Sequence, residues 1–265
     1  MILDEILERR RGDVRASKAE RPFLDVQPVR RPHRFEGSLS RPGCGLICEI
    51  KKASPSRGPI DLGIDVAARA RAYEAGGARA LSVLTEPHWF RGSLGDLTAA
   101  ARAVDLPVLL KDFVVDRYQI DQAVVAGASA VLLIVAALTR AELTRFLDHA
   151  RSLGLDALVE IHDQGELEIA LDCGARIIGV NNRNLRTLVV DLSVSERLIP
   201  MIPSGKIAVV ESGISRPDEV VRLRALGARA FLVGEALMND ANPTDRVRLL
   251  TEAIGGPPST ADPSS

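Results

Sequence analysis

Eight short apolar runs, separated by stretches with helical periodicity, predict an α/β protein built as a single closed (β/α)8 TIM barrel. Four of the runs follow directly on a helix that ends at a glycine, in AGGARALSVL, AGASAVLLIV, CGARIIGV and LGARAFLVG. The runs lack strict polar alternation, as expected of parallel strands covered on both faces. Eight such units in 265 residues favour a closed barrel over an open sheet, and no GxGxxG motif follows the first run.

The chain before the first run is predicted to form an extra N-terminal helix and an arm. MILDEILERRRGDV places its apolar residues on one helical face, and its acidic residues argue against a signal peptide. We expect residues 1–45 to pack on a barrel formed by residues 46–255, covering it or the rim of its mouth. Residues 256–265 have the Pro- and Ser-rich composition of a disordered tail.

The strands and helices of the barrel follow in alternation. Helical periodicity appears between most strands, for example in VAARARAYEA and in PDEVVRLRAL, where Pro217 suits a first helical turn. The eight predicted strands lie within residues 45–50, 75–84, 106–113, 126–135, 155–162, 173–180, 206–213 and 226–234.

Composition points to a protein that acts on small molecules. The net charge of −1 gives no basic field for nucleic acid or an anionic membrane, and no apolar run approaches the ~20 residues of a membrane span. Four scattered histidines indicate no metal site. An odd number of cysteines without metal-binding spacing predicts reduced thiols and a cytoplasmic location; they are Cys44, Cys48 and Cys173.

Polar residues end several of the predicted strands. In this fold the reactive groups lie at the carboxyl ends of the strands, and alternation places these side chains in one mouth. A single charged strand end is most simply a residue leaving the core for a loop, but five such strands favour a site. The residues are Glu49, Lys51, Lys111, Glu160, Asn181 and Glu211.

Lysine is scarce, since only five of the 34 basic residues are lysines, yet Lys51 and Lys111 both fall at inward-facing strand ends. Lysine can lose its proton when it is desolvated or lies near another cation, whereas arginine effectively cannot. We therefore expect burial and the second lysine to lower the pKa of at least one of them. Lys52 alternates to the outer face and is expected to make a structural or loop contact.

Two glycine-containing loops predict a phosphate site. ESGIS and VGEALM follow the seventh and eighth strands, where barrels often hold a phosphate on backbone N–H groups. Ser212, Gly213 and Gly234 occupy these places, and glycine allows the backbone to approach a ligand closely.

These segments together resemble the indole-3-glycerol phosphate synthase family of tryptophan biosynthesis. The matches run in order from residue 48 to residue 238: CEIKKASPSRG, LSVLTE with WFRGS, LLKDFVVD, LVEIH, GVNNRNL, VVESGI and FLVGEALM. The resemblance implies a lyase that converts 1-(2-carboxyphenylamino)-1-deoxyribulose 5-phosphate to indole-3-glycerol phosphate by ring closure, decarboxylation and dehydration. It implies no metal and no cofactor.

The resemblance also implies roles for the catalytic candidates. Lys111 would protonate the substrate carbonyl, and Glu160 would stabilise the cationic ring intermediate beside it. Lys51 would hold the substrate carboxylate and take part in later proton transfer. Glu49 would act as a base or an orienting group, and Asn181 would hold sugar hydroxyls and position the lysines.

For binding, the resemblance implies that Glu211 also contacts the sugar, while Phe113 and Leu132 sandwich the aromatic ring. The phosphate would be bound by Ser54, Arg183, Ser212, Gly213 and Gly234. SPSRG would be a mobile loop, and Trp89 is read equally well as a rim aromatic or as a substrate contact. Pro87 and His88 depart from the charged residues that many relatives have there.

Two alternatives remain at this point. A phosphoribosylanthranilate isomerase-type barrel would use a cysteine of strand one as a base, but Cys48 alternates to the face opposite Glu49. A non-catalytic sugar-phosphate-binding barrel would keep the phosphate loops without needing the lysines and carboxylates. The sequence predicts a small-molecule partner, is compatible with a monomer, and leaves docking of other pathway enzymes open.

Overall fold

The computed structural model describes residues 2–22, 24–29 and 32–255, which form a closed barrel of eight parallel strands in chain order. Ile47 of the first strand pairs with Leu232 of the last and closes the barrel. The predicted (β/α)8 fold is therefore confirmed. Strands β1 to β8 are Gly45–Ile50, Ala80–Leu84, Val108–Lys111, Ala130–Ile134, Asp156–Ile161, Ile177–Asn181, Ile207–Glu211 and Ala230–Val233.

The helices surround the strands and begin and end where the sequence supplies caps. Asp116 and Thr139 each form a capping box at a helix start, and Gly127 ends a helix with φ 91°. None of the helices in the described residues combines the length and apolar character of a membrane span. Helices α1 to α11 are Ile2–Glu20, Arg34–Leu39, Val66–Ala75, Leu94–Ala103, Arg117–Ala126, Arg140–Ser152, Gln164–Asp172, Ser193–Leu198, Pro217–Ala225, Glu235–Met238 and Pro243–Gly255.

Three shorter elements complete the chain trace. Two 3₁₀ turns, Val135–Ala137 and Ile199–Met201, follow β4 and α8. After β1, Ala53–Ser54 pairs antiparallel with Gly58–Pro59, so the predicted SPSRG loop is a small hairpin.

Alternation along the strands produces two apolar layers. The outer layer lies between strands and helices and contains Cys48, whereas the inner layer fills the barrel with residues such as Leu109 and Leu158. Lys111 and Glu160 come two residues after those inner leucines and therefore also point inward. The inner apolar layer thus forms the floor beneath the polar mouth.

The N-terminal extension covers both ends of the barrel. Phe35 and Leu39 of α2 are fully buried in the inner apolar layer, and the amide of Glu36 donates to Asp156 at the start of β5, 2.8 Å away. At the other end, the first turns of α1 lie beside the mouth. The extension and N-terminal helix predicted from sequence are present, whereas the division at residue 45 stays a prediction and residues 256–265 lie outside the described residues.

A buried ion pair fixes α1 to the barrel. The Arg10 guanidinium donates from Nε and NH2 to the two carboxylate oxygens of Asp112, each at 2.9 Å. Asp112, which directly follows Lys111, also accepts from the Thr85 hydroxyl at 2.7 Å. The residue beside the central lysine is therefore held by both the extension and the neighbouring β2 loop.

Replacing Arg10 with alanine is expected to lower the free energy of unfolding by about 3 kcal/mol, because it leaves the Asp112 carboxylate buried without its cation. Urea unfolding measures this change. Arg151→Ala is the control, since Arg151 forms an exposed pair with Asp148 and should cost less than about 1 kcal/mol. Equal losses in the two variants would show that the Arg10 pair does not anchor α1.

Candidate active site

One buried lysine lies at the centre of the mouth. Lys111 Nζ at the end of β3 is 3.2 Å from Glu160 Oε2 of β5 and 3.3 Å from Glu211 Oε2 of β7. A second pair stands beside it, with Lys51 Nζ 2.8 Å from Glu49 Oε1. Asn181 Nδ2 also donates to Glu160 Oε1 at 3.0 Å, so the structure brings together all six of the polar residues that the sequence places at strand ends.

The carboxylates control the charge of Lys111. Burial alone would lower the pKa of its ammonium, but Glu160, Glu211 and Glu49 together outweigh burial and raise it above its ordinary value. The lowering that we expected for at least one of the two lysines therefore does not occur at Lys111. The pKa of Lys111 is raised because three carboxylates face this one ammonium.

The two acids beside Lys111 differ in charge state. For Glu160, burial favours the neutral acid, but Lys111 and His162 more than offset it and lower the pKa below its usual range. For Glu211, burial dominates and the negative charge of Glu160 adds to it, so the pKa rises to about 8 although Lys111 opposes the shift. At neutral pH the mouth thus holds an ionised Glu160 and a mostly protonated Glu211.

Two glycines leave room for the carboxyl groups of Glu211 and Glu49. A Cβ on Gly179 of β6 would lie 2.0 Å from Glu211 Oε1, and a Cβ on Gly234 would lie 2.3 Å from Glu49 Oε1. Any side chain at either position would displace the carboxyl group. Gly234 therefore serves the packing of the polar mouth, in addition to the phosphate role that the sequence suggests.

An apolar cavity opens on one side of the lysine. Phe113 and Leu132, both predicted to contact a ring, line it, together with apolar residues of α1. Phe90 also lines it and lies 6.2 Å from the Phe113 ring centroid. Trp89 is not among the described residues that line this cavity. Its ring packs edge-on against the His88 ring, with the two ring centroids 5.9 Å apart.

A second, polar cavity opens on the other side and shares Glu49, Lys51, Lys111, Arg183 and Ser212 with the first. Its lining includes four of the predicted phosphate residues, namely Arg183, Ser212, Gly213 and Gly234. Ser212 and Gly213 both have positive φ, 64° and 86°, a backbone shape that the serine rarely adopts. The remaining phosphate candidate, Ser54, is buried in the hairpin and lines the apolar cavity.

Lys52 points away from both cavities. Its Nζ lies 2.7 Å from Asp96 Oδ1 in the first turn of α4, a structural contact of the kind that alternation predicts.

Several residues of the site were missed by the sequence reasoning. The buried Glu86 carboxylate accepts from the backbone amides of His88, Trp89 and Phe90 and thereby orders the β2 loop. Asn182 donates to the carbonyls of Glu211 and Ser212, both at 3.0 Å. Asn182 is the second Asn of GVNNRNL, so the pair of adjacent asparagines in the sequence could have identified it as a site residue.

Two charged residues that line the polar cavity, Arg57 and Glu235, were not among the predicted site residues. Arg57 NH2 in the hairpin lies 2.6 Å from Glu235 Oε1, and Arg183 NH2 lies 3.8 Å from Glu235 Oε2. Two guanidinium groups therefore face this cavity, which suits an anionic group. Taken with the apolar cavity, the mouth can accept a molecule that is aromatic at one end and anionic at the other, with proton-transfer groups between.

The raised pKa of Glu211 predicts a specific dependence of stability on pH. The acid holds its proton up to about pH 8 in the fold but only up to about pH 4.5 in the unfolded chain. Between these values unfolding releases a proton, so the fold loses stability as the pH rises. The unfolding free energy of the wild type minus that of Glu211→Gln should therefore fall as the pH rises from 4.5 to 8. Denaturant unfolding at several pH values measures it.

Glu252→Gln, at an exposed position of α11, is the control and should give a constant difference. A constant difference for Glu211→Gln as well would mean that this acid is ionised in the fold at neutral pH.

Comparison with known proteins agrees with this geometry. The family model described as indole-3-glycerol phosphate synthase matches residues 3–250. An indole-3-glycerol phosphate synthase of a Nocardioides species is 49% identical over 241 residues, covering 91% of this chain and 89% of the relative. One from a Mycobacterium species is 45% identical over 267 residues, covering 99% and 98%.

A solved structure of 3-hexulose-6-phosphate synthase has a TM-score of 0.62 at 16% identity, covering 79% of this chain and 99% of that one, a likeness of fold alone. The match to the family model runs from residue 3 to residue 250 and so covers both the extension and the barrel. The chain belongs to the indole-3-glycerol phosphate synthase family.

Proposed function

We propose that the protein converts 1-(2-carboxyphenylamino)-1-deoxyribulose 5-phosphate to indole-3-glycerol phosphate by ring closure, decarboxylation and dehydration. One observation carries this proposal: Lys111 and its carboxylates lie where an apolar cavity meets a cavity lined by arginines and glycines. The proposed substrate has an aromatic ring at one end, a phosphate at the other and the reacting carbonyl between them.

The substrate is proposed to span the two cavities. Its ring packs between Phe113 and Leu132, where removal of apolar surface from water favours binding. Its phosphate lies against Ser212, Gly213 and Gly234, with Ser54 and Arg183 as further donors. Lys51 pairs with the ring carboxylate, which must be bound until it leaves as carbon dioxide.

Lys111 acts as the general acid in ring closure. As the ring carbon attacks the carbonyl carbon, the carbonyl oxygen becomes an alkoxide and takes a proton from the ammonium. The high pKa of Lys111 keeps this proton in place until the more basic alkoxide develops. Glu160 stays ionised and stabilises the positive charge that appears on the ring system.

The later steps use the second pair. Loss of carbon dioxide restores the aromatic ring, and dehydration then removes the hydroxyl that ring closure created. Lys51 and Glu49, 2.8 Å apart, supply the acid and the base or orienting group for this step. Asn181 and Glu211 hold the sugar hydroxyls and keep the lysines in position.

The two alternatives fit the site less well. Cys48 is fully buried in the outer layer, and burial raises the pKa of its thiol, so it is badly placed to act as a base in the mouth. A non-catalytic barrel has no need for three carboxylates around a buried lysine. The proposed reaction calls for no metal or cofactor, and the cytosolic location and the partners beyond the substrate stay predictions.

Turnover by Lys111→Met separates catalysis from binding. Removing the general acid should lower kcat by about 100-fold or more while substrate affinity changes little. Lys52→Met is the matched control, because Lys52 is paired with Asp96 outside the mouth and its loss should leave kcat nearly unchanged. Indole fluorescence with the proposed substrate gives the rates, and wild-type binding without any indole product would favour the non-catalytic barrel.

Gly179→Ala tests the space that Glu211 needs. The added methyl would displace the carboxyl group from Lys111, so kcat should fall by about tenfold or more as the site loses its geometry. Gly205→Ala is the control, since nothing lies within 4 Å of a Cβ there. Unchanged kcat in Gly179→Ala would show that the position of Glu211 does not matter for turnover.

A further inference from the structure

His162 lies behind Glu160, on the side away from Lys111. It directly follows β5. Its buried Nε2 lies 3.4 Å from Glu160 Oε1 without a hydrogen bond, while its Nδ1 is within hydrogen-bonding distance, 3.1 Å, of Glu166 Oε2 in α7. The ring is thus held between two carboxylates. His162 is not among the site residues predicted from the sequence.

Both ring nitrogens face acceptors that have no proton to give. A neutral imidazole has one donor and one acceptor nitrogen, so it would place a lone pair against a carboxylate on one side. Only the imidazolium presents an N–H to each carboxylate, and its charge favours the 3.4 Å contact with Glu160 even without a hydrogen bond there. The backbone amide of His162 also donates to Glu166 Oε2 at 2.7 Å, which fixes the orientation of that carboxylate and hence of the ring.

We propose that His162 is a positioning residue whose imidazolium holds Glu160 ionised and correctly oriented, with Glu166 as the outer member of the row. The row runs through Glu166, His162, Glu160 and Lys111, with Asn181 fixing Glu160 from β6. This assignment rests on the proposed reaction, in which Glu160 stabilises a cationic intermediate.

The charge balance of the mouth explains why the fold needs this residue. Lys111 faces Glu160, Glu211 and Glu49, which come from β5, β7 and β1, and Lys51 pairs with Glu49. A second cation behind Glu160 allows that acid to stay ionised while Lys111 is shared with the others. The pKa of His162 agrees: burial would lower it, but contacts with Glu160 and Glu166 raise it to about 10.

Kinetics of His162→Gln against pH test the proposal. Without the imidazolium the pKa of Glu160 should rise, so the acid limb of the kcat profile should move up by about 1 pH unit. At neutral pH, kcat should fall roughly tenfold, the lower end of the losses seen for supporting partners at metal sites. KM should stay within about twofold, since His162 lies behind Glu160 and lines neither cavity among the described residues.

His149→Gln is the matched control. His149 forms a similar part-buried pair with Asp121, 2.7 Å away between α6 and α5, and lies outside the mouth. Its loss should lower stability without moving the acid limb. An acid limb in His162→Gln that coincides with that of wild type would overturn the proposal, whereas a wild type that makes no indole would overturn the proposed function.

A measurement on the wild-type protein covers the case in which His162→Gln does not fold. Nitrogen-15 spectra of the histidine side chains should show His162 doubly protonated at pH 8, above the ordinary pKa of 6.5. A neutral His162 ring at pH 8 would overturn the proposal.

Discussion

The ammonium of Lys111 and the three carboxylates that face it are the interaction on which the rest of the site depends. One buried cation cannot satisfy three buried anions, so the fold must neutralise or pair the others. It does so by protonating Glu211, by pairing Glu49 with Lys51 and by placing His162 behind Glu160. The inner apolar layer beneath makes these charges strongly interacting, because little water screens them.

The extension and the glycines are adjustments to this central cluster. Arg10 reaches from α1 to Asp112, the residue after Lys111, so the helix that lines the apolar cavity is fixed to the strand that carries the lysine. Gly179 and Gly234 leave space for Glu211 and Glu49. The same features that assemble the charges also shape the two cavities, which is why the aromatic and anionic ends of the mouth meet at Lys111.

Sequence patterns predicted the barrel because each apolar strand is a local feature that recurs eight times, and four of the strands directly follow a helix that ends at a glycine. They also predicted that Lys111 and Glu160 face inward, since alternation from Leu109 and Leu158 fixes their direction. They could not give the direction of the pKa shift at Lys111, because that value depends on which carboxylates come close to it, a property of barrel closure and not of any one strand. Contacts across the fold, such as Arg10 with Asp112 and Arg57 with Glu235, leave no periodic signal at all.

The most direct test is the charge of Lys111 itself. With only five lysines, carbon-13 labelled side chains give a simple NMR spectrum, in which Lys111 is assigned by its absence from Lys111→Met. We expect Lys111 to stay charged above pH 10.5, its ordinary pKa. A Lys111 that loses its proton well below pH 10.5 would contradict it, because the carboxylates would then not hold the ammonium charged.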